Sequence, residues 1–347
     1  MKKLISFLFI AVIFINSAAL FILPDADVSE LENRSLTKRN DISLNFLDGE
    51  FQNTVENFVS DQFPLRDKLI YLHTGMLYAS GQREIDGAYV CDDGRLVQYV
   101  TDSDINRATL TSYAKKVNKI AEKNTVYVMY VPSACVELKE KMPGSAPTYS
   151  YNELYEELIS SLSNAKPIDL SEALSDEGCF YRTDHHWNYS GAYKAYCAFC
   201  EAKGVSAKPL ESFILKTVST DFRGTLFSKV PFSKQTDEII IPDISVSEVK
   251  ADGVETPFYN YGALEKKDKY NVFQGGNHGI VEIENKDGNG NTLLVLKDSF
   301  ANSFVPFIAE EYSKIVMLDE RYTFVSLESF VDTLSPDEIL VLREIIN

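Results

Sequence analysis

The stretch TLLVLKDSFANSFVPFIAEEYSKIVML, residues 292–318, decides the fold of this 347-residue chain. It contains two short apolar runs, and the segment between them has the composition of a helix. With the residues that follow, it predicts a strand at 292–296, a helix at 300–312, a strand at 314–318, a helix at 327–334 and a strand at 338–342. Uninterrupted apolar runs are typical of strands buried on both faces, and strands that alternate with helices form parallel sheets. The sequence therefore predicts an α/β domain with a mostly parallel sheet.

The same alternation is present upstream. Apolar residues from Leu110 to Ala121 recur at helical spacing, and TVYVMYV at 125–131 has the pattern of another buried strand. Further on, the pattern predicts a helix around 154–162, a short strand at 168–170 and a helix at 190–203. Residues 206–270, which include Arg223-Gly224-Thr225-Leu226, are irregular, and we predict that they are an insertion that lines the site.

Ser299 directly follows the strand at 292–296 and begins the next predicted helix. Ligands of open α/β sheets bind at the carboxyl ends of strands, and a helix N-terminus offers N–H groups to a developing oxyanion. Ser299 is therefore a candidate nucleophile, although Asp298-Ser299 would also suit a helix N-cap. Arg321 follows the next strand, so we expect it beside Ser299 and in contact with the substrate. A surface salt bridge with Asp319 is the alternative.

The second candidate stretch is Thr183-Asp184-His185-His186-Trp187, with two of the four histidines and the only tryptophan. Acyl transfer needs a carboxylate beside an imidazole, because the base must be held in one tautomer and its charged form stabilised. The alternative is a hydrogen-bonded polar cluster beneath a core tryptophan. A serine nucleophile elsewhere in the chain favours the catalytic interpretation, and we expect His185 and Trp187 to contact the substrate.

A glycine-rich stretch, Phe273-Gln274-Gly275-Gly276-Asn277-His278-Gly279, lies between two strand-like runs. Glycines let a backbone approach a ligand closely, and an asparagine amide can donate to an oxyanion. Gly276 and Asn277 are therefore candidate oxyanion residues. An ordinary turn is the alternative.

The N-terminus predicts attachment to a membrane. After Lys2-Lys3, an apolar run extends over residues 4–23, which as a helix is about 30 Å long and can span a bilayer. The preceding lysines favour a cytoplasmic start and an external body. Ser17-Ala18-Ala19 resembles a signal-peptide cleavage site, so a secreted protein is the alternative. The predicted organisation is a signal anchor at 1–23, a linker at 24–45 and a catalytic domain at 46–347.

Composition limits the partners. The formal net charge of −17 disfavours nucleic acid and other polyanions, and we expect no cofactor. Five cysteines are too few for a disulfide scaffold, and Cys197 and Cys200 lie in an apolar helical stretch. A metal site that uses Asp184, His185, His186 and His278 is an alternative, but adjacent histidines on a short loop rarely both bind one ion.

Several motifs together resemble the DHHW family of bacterial cell-surface proteins and, more distantly, the SGNH-type alginate O-acetyltransferases. The resemblance covers nearly the whole chain. Its motifs are Glu32-Asn33-Arg34, Asp61-Gln62-Phe63-Pro64-Leu65-Arg66, Thr183-Asp184-His185-His186-Trp187-Asn188, Gly275-Gly276-Asn277-His278, Lys297-Asp298-Ser299-Phe300-Ala301-Asn302 and Asp319-Glu320-Arg321-Tyr322.

The resemblance implies an SGNH-hydrolase-like α/β/α sandwich in which the serine follows the acid and the histidine in sequence. It also implies a triad of Ser299 as nucleophile, His186 as base and Asp184 as the acid that orients the base. His186 is preferred to His185 because the alginate enzymes have Asp-x-His spacing. They show no second histidine where His185 stands, which leaves the base assignment open.

The function that follows is a membrane-anchored, extracytoplasmic O-acyltransferase for a cell-surface polysaccharide. Relatives of this kind work beside a membrane-bound O-acyltransferase that exports acyl groups, which makes such a protein a candidate partner. A carbohydrate acetylesterase would use the same triad, with water in place of the sugar hydroxyl. A non-catalytic subunit of cell-envelope glycan assembly is a further alternative.

Overall fold

The computed structural model describes residues 2–32, 34–144 and 146–346. The α-helices are α1 (Lys2–Ile22), α2 (Glu50–Asp61), α3 (Arg66–Ala79), α4 (Arg107–Ala121), α5 (Ala134–Glu137), α6 (Tyr151–Ser160), α7 (Ser171–Leu174), α8 (Tyr189–Lys203), α9 (Thr225–Lys229), α10 (Ala301–Phe304) and α11 (Leu327–Leu334). The strands are β1 (Val28–Ser29), β2 (Arg34–Ser35), β3 (Glu84–Ile85), β4 (Ala88–Val90), β5 (Leu96–Gln98), β6 (Val126–Val131), β7 (Lys166–Ile168), β8 (Leu215–Phe222), β9 (Asp237–Pro242), β10 (Glu248–Ala251), β11 (Val254–Glu255), β12 (Ile280–Glu284), β13 (Thr292–Lys297), β14 (Lys314–Leu318) and β15 (Glu338–Glu344).

The chain divides into two compact units. The first comprises Met1–Ile85 and Ser228–Ser233, and the second comprises Asp86–Phe227 and Lys234–Asn347. The predicted catalytic residues all lie in the second unit.

An eight-stranded sheet forms the centre of the second unit, in the order β11-β10-β12-β14-β13-β15-β6-β7. The five strands from β14 to β7 are parallel, and the other three pairs are antiparallel. The predicted β-α-β-α-β order of the C-terminal third is therefore confirmed as β13-α10-β14-α11-β15.

Helices pack on both faces of this sheet. On one face, the ring of Tyr127 lies 5.4 Å from the ring of Phe199 in α8. On the other, the guanidinium of Arg343, which pairs with Tyr130 in the sheet, lies 4.3 Å from the ring of Tyr113 in α4. Side chains an odd number of residues apart in a strand point to opposite faces, so the two helix groups sandwich the sheet. The predicted α/β/α sandwich is confirmed.

The predicted helix at 300–312 is much shorter than expected. It comprises only α10, and a 3₁₀ turn at Val305–Phe307 follows. Pro306 lies in this turn, and proline has no N–H with which to continue a helix. The segment is nonetheless deeply buried, because its side chains pack against the sheet and α8.

Residues 206–270 are less irregular than predicted. They contain an antiparallel pair of strands, β8 and β9, followed by β10 and β11. Strands β10 and β11 extend the central sheet at its β12 edge, so this part of the predicted insertion is regular.

In the first unit, residues 24–45 are not a free linker. The side-chain amide of Gln62 exchanges hydrogen bonds with the backbone of Ala26 and donates to the carbonyl of Thr37. Arg34 donates two hydrogen bonds to Asp61, which lower the pKa of that buried carboxyl to about 2. The segment is thus fixed to the end of α2. Asn33, in the Glu32-Asn33-Arg34 motif, lies outside the described residues.

Candidate active site

The candidate site lies at the edge of the sheet where the parallel strands end. Across the neighbouring strands β12, β14 and β13, one row of paired residues consists of Ile280, Leu318 and Leu296. Asn277, Arg321 and Ser299 lie just beyond this row, in the loops that leave the same edge. The register therefore places these three predicted residues along one edge of the sheet.

The central feature is a chain of hydrogen bonds from a carboxylate through an imidazole to a hydroxyl. Nδ1 of His186 lies 2.6 Å from Oδ1 of Asp184, and Nε2 of His186 lies 2.7 Å from Oγ of Ser299. Since an ionised carboxylate only accepts hydrogen bonds, Nδ1 carries the proton and Nε2 accepts from the Ser299 hydroxyl. Asp184 and His186 are almost fully buried, and Ser299 is partly exposed. Of the three residues, Ser299 is therefore the most exposed to solvent.

Asp184 is held by hydrogen bonds on both of its carboxylate oxygens. Oδ1 also accepts the backbone N–H of His186, and Oδ2 accepts the backbone N–H and the hydroxyl of Thr225. Burial alone would raise the pKa of Asp184, but the neighbouring imidazoles of His186 and His185 and these hydrogen bonds hold that pKa well below its usual value. Asp184 is therefore ionised, as the orienting acid of a base must be.

The loop that carries Asp184 is fixed from behind by Asp237 at the start of β9. Its Oδ2 accepts both the backbone N–H and the hydroxyl of Thr183, at 2.8 and 2.5 Å. The Thr183 hydroxyl also accepts the backbone N–H of Gly224. These bonds link Asp184 to the segment that provides Thr225, so part of the predicted insertion does reach the site.

Two aromatic rings hold the imidazole of His186 in place. The ring of Tyr270 stacks on it at 4.1 Å with an angle of 9° between the planes, and the ring of Phe300 lies 4.9 Å away. The Tyr270 hydroxyl donates to the backbone carbonyl of Ser299 at 3.1 Å. Tyr270 thus contacts both the base and the backbone of the nucleophile. Sequence reasoning missed it, because an isolated tyrosine in a 3₁₀ segment carries no signal of this role.

Trp187 has no surface that a substrate could contact, so the prediction that it binds substrate is wrong. Its side chain is fully buried, and its indole N–H donates to the carbonyl of Phe300 and to Oγ of Ser303. It packs the histidine loop against the turn that follows Ser299. Trp187 therefore supports the site from the core, as the alternative interpretation proposed.

His185 lies beside His186 but outside the hydrogen-bonded chain. Its Nδ1 is 2.8 Å from the Thr225 hydroxyl, and its ring centroid is 3.9 Å from that of His186. Burial lowers the pKa of His185, and the neighbouring imidazole of His186 lowers it further. Its side chain is about one-quarter exposed, so it is accessible to a substrate.

The possible ligand atoms of Asp184, His185 and His186 lie within 4.8 Å of one another, a spacing that a metal site would also show. In this structure hydrogen-bond partners already occupy Nδ1 of His185 and both ring nitrogens of His186. His278, the fourth residue of the metal alternative, pairs instead with Asp252 at 2.9 Å. The arrangement fits a proton-transfer site in which His186 joins an acid to a hydroxyl.

Arg321 forms the salt bridge that was the alternative to substrate contact. Its guanidinium binds both oxygens of the fully buried Asp319, at 2.9 and 2.7 Å, and its side chain remains 40% exposed. Nζ of Lys297, directly before the Asp298-Ser299 pair, is 3.8 Å from the same carboxylate. Burial lowers the pKa of Lys297 to about 8, against the attraction of Asp319. The exposed part of Arg321 stays a predicted substrate contact.

The predicted oxyanion residues have other contacts in this structure. A Cβ on Gly276 would lie 2.8 Å from Oδ1 of Asn271, and the exposed Asn277 donates its amide to the Tyr322 hydroxyl at 3.5 Å. Among the described residues, no hydrogen bond joins either of them to Ser299. Their role as oxyanion donors stays a prediction that rests on the shared sheet edge.

The sequence of this site matches a known family. A family sequence model described as "DHHW protein" matches residues 84–318, more than half of the chain. The chain belongs to the DHHW family. The match includes the acid, histidine and serine of the hydrogen-bonded chain, which is the order of residues that the motifs indicated.

Solved structures show that this DHHW family protein shares an SGNH-like fold. A DHHW family protein from Eubacterium siraeum DSM 15702 aligns with a TM-score of 0.63 at 24% identity, over 75% of this chain and 91% of its own. Bacillus cereus PatB1 with a sulfonyl adduct aligns with a TM-score of 0.62 at 19% identity, over 74% of this chain and 93% of its own. The O-acetyltransferase domain of Pseudomonas putida AlgJ aligns with a TM-score of 0.46 at 14% identity, over 75% of this chain and 91% of its own. No curated protein sequence gave a significant match.

Gly224 is a further residue that the site requires. A Cβ at this position would lie 2.2 Å from Oδ2 and 2.6 Å from Cγ of Asp184. We expect Gly224→Ala to displace the carboxylate and to lower turnover of an aryl ester by about 10²-fold or more, because small misplacements of catalytic groups are that costly. Overpacking should also destabilise the fold by about 1–3 kcal/mol, measured as a lower melting temperature.

The matched control is Gly75→Ala in α3, where a Cβ would meet nothing within 4 Å. Alanine also favours helices over glycine, so this variant should melt no lower than the wild type and keep its activity. Full activity of Gly224→Ala would show that Asp184 tolerates displacement.

Proposed function

We propose that this protein is a membrane-anchored, extracytoplasmic O-acyltransferase that transfers an acyl group, most simply acetyl, to a hydroxyl of a cell-surface polysaccharide. The observation that carries the proposal is the hydrogen-bonded chain from Asp184 through His186 to Ser299. An ionised acid, an imidazole in a defined tautomer and an accessible hydroxyl are the components of serine acyl-transfer catalysis.

In the first half-reaction, Oγ of Ser299 attacks the carbonyl carbon of the acyl donor while Nε2 of His186 accepts the hydroxyl proton. Asp184 stabilises the imidazolium that forms. Collapse of the tetrahedral intermediate breaks the bond to the leaving group, which takes the proton from His186 and leaves an acyl ester on Ser299. In the second half-reaction, His186 deprotonates a sugar hydroxyl that attacks this ester, and the returned proton regenerates Ser299.

The oxyanion of each intermediate needs N–H donors. Among the described residues, the backbone N–H of Ser299 makes no hydrogen bond, whereas that of Phe300 donates to Oδ1 of Asp298. The free N–H of Ser299 is therefore available to the developing charge. Gly276 and Asn277 are the other proposed oxyanion donors, because their loop lies at the same edge of the sheet as Ser299.

The acceptor and the location are proposed from the family and from the N-terminus. The DHHW resemblance implies a glycan of the cell surface and a membrane-bound O-acyltransferase as acyl supplier. The net charge of −17 is compatible with a neutral glycan and disfavours nucleic acid. Helix α1 is long and apolar enough to cross a bilayer. Such an anchor would hold the rest of the chain at the external surface of that bilayer.

A serine-directed sulfonyl fluoride tests the nucleophile. PatB1 has been solved with a sulfonyl adduct, and we expect phenylmethanesulfonyl fluoride to label this protein once, on the peptide that contains Ser299. The label should abolish aryl-ester turnover. Ser133, which follows β6 at the same sheet edge but donates its hydroxyl to Glu344, provides a matched control: the Ser133→Ala variant should still be labelled. Labelling that avoids Ser299 would refute the proposed acyl-enzyme.

Transferase and esterase activities are separated by the fate of the acyl group. With a simple acetyl donor and an oligosaccharide acceptor, a transferase forms acetylated sugar, whereas an esterase releases acetate into water. The proposal predicts that added acceptor increases turnover and diverts acetyl from water to sugar.

A further inference from the structure

Helix α3 has apolar side chains on two sides. Its inner face, which includes Ile70, Thr74 and Leu77, is buried or half-buried. On the other side an outer stripe consists of Leu65, Leu69, Leu72 and Met76, which are 67, 45, 57 and 63% exposed. Spacings of three and four residues place Leu69, Leu72 and Met76 on one face of α3, and Leu65 directly precedes the helix as its N-cap residue. A surface helix in water normally presents polar side chains there, so the outer stripe indicates that this side of α3 meets an apolar environment.

The outer stripe begins where α1 ends. A cleft of about 350 Å³ is lined by Leu23 and Pro24, directly after α1, and by Phe63, Leu65 and Lys68 at the beginning of α3. The stripe is therefore continuous with the end of the apolar helix.

The end of α1 is also fixed in place. The Arg39 guanidinium donates to the carbonyl oxygens of Leu20 and Leu23, at 3.4 and 2.9 Å, and forms an ion pair with Asp25 at 2.7 Å. Together with the hydrogen bonds of Gln62 to Ala26, these contacts connect the last turn of α1 to the end of α2, four residues before α3 begins. Because Leu23 and Leu65 line one cleft, the start of α3 lies beside the end of α1.

Helix α1 itself determines the environment. Most of its large apolar side chains are more than half exposed, and its length matches the hydrocarbon core of a bilayer. With α1 across the membrane, Leu23 lies at the outer interface, and Leu65, which lines the same cleft, lies at that level too. Lys68 and His73 flank the stripe, and amphipathic side chains of this kind are typical of helices at a membrane surface.

We propose that α3 lies in the outer interface of the lipid bilayer, with the outer stripe in contact with the acyl chains. This inference rests on the membrane anchor of the proposed function and adds a second contact that orients the first unit on the membrane. Interfacial helices bury their apolar face by about 5–10 Å. Because the protein is strongly acidic, the contact is apolar rather than electrostatic and requires no anionic lipid.

The test uses the full chain in phosphatidylcholine vesicles, with part of the lipid brominated on its acyl chains to quench nearby tryptophan. Leu72→Trp and Met76→Trp each add one tryptophan to the outer stripe, and the buried Trp187 contributes a constant background. Tyr71→Trp is the matched control, because Tyr71 is 53% exposed on the side of α3 that faces away from the outer stripe and does not line the cleft. We expect quenching of the stripe tryptophans to exceed that of the control by about two-fold or more, and to persist in high salt.

Equal quenching of the stripe and control tryptophans, in protein that floats with the vesicles, overturns the proposal and leaves the anchor intact. A stripe shielded by a second copy of the chain or by a partner protein would give this result. Protein that does not float refutes both the anchor and the interfacial helix. Aryl-ester turnover of the same variants should equal that of the wild type, so failure of the catalytic proposal would be seen separately.

Discussion

The Ser299→Ala variant is expected to lose acyl transfer almost completely while it remains folded. Removal of a nucleophilic hydroxyl from a triad lowers the rate by about 10⁴-fold or more, whereas loss of a helix cap costs about 1 kcal/mol of stability and leaves turnover nearly unchanged. The structure favours the first outcome. Oγ of Ser299 lies 2.7 Å from Nε2 of His186. The N-cap residue of α10 is Phe300 rather than Ser299, and no side-chain hydrogen bond caps this helix.

The measurement is aryl-ester hydrolysis and acetyl transfer to oligosaccharide, with thermal melting of the same samples. Ser150→Ala is the matched control, because Ser150 is an N-cap of α6 that accepts the backbone N–H of Glu153. It should melt slightly lower and retain its activity. If Ser299→Ala behaves like Ser150→Ala, then Ser299 has only a structural role and no acyl-enzyme forms on it.

The second large effect separates the two adjacent histidines. His186→Ala should be as inactive as Ser299→Ala, because His186 alone contacts both Asp184 and the Ser299 hydroxyl within 2.7 Å. His185→Ala should retain most of its activity, since the Nδ1 of His185 contacts the Thr225 hydroxyl rather than the serine. A double variant of His186 and Ser299 should be no worse than either single variant, because members of one catalytic unit do not act additively.

The same assay includes Asp184→Asn, which keeps the size of the side chain but removes its charge. We expect a severe but less complete loss, because the amide no longer fixes the productive tautomer of His186 or stabilises its charged form. An inactive His185 variant together with an active His186 variant would reverse the assignment of the base.

Much of this arrangement could be predicted from the sequence because it depends on local patterns. The apolar runs at 292–296, 314–318 and 338–342 predicted parallel strands, and the structure confirms them as β13, β14 and β15. Helix α10 was predicted too long, since the apolar composition of 300–312 reflects burial and not continuous helix.

Contacts between distant parts of the chain could not be predicted in this way. Tyr270 stacks on His186, and Gly224 leaves room for Asp184, but neither residue lies near the acid-histidine motif in sequence. From the sequence, Trp187 is expected to contact the substrate. The structure shows instead that the loop turns its indole into the core, where Phe300 and Ser303 accept its N–H.

By itself the sequence determined which segments form the parallel strands, the family and the residue types of the acid, base and nucleophile, because each is encoded in a short stretch with a characteristic pattern. Only the tertiary structure decided which histidine contacts Ser299, which oxygen of Asp184 orients it and which residues support both. Hydrogen bonds act over about 3 Å, and the hydrogen-bonded residues His186 and Ser299 are 113 positions apart in the chain. Their contact depends on how the strands and loops pack at one edge of the sheet, which no local pattern specifies.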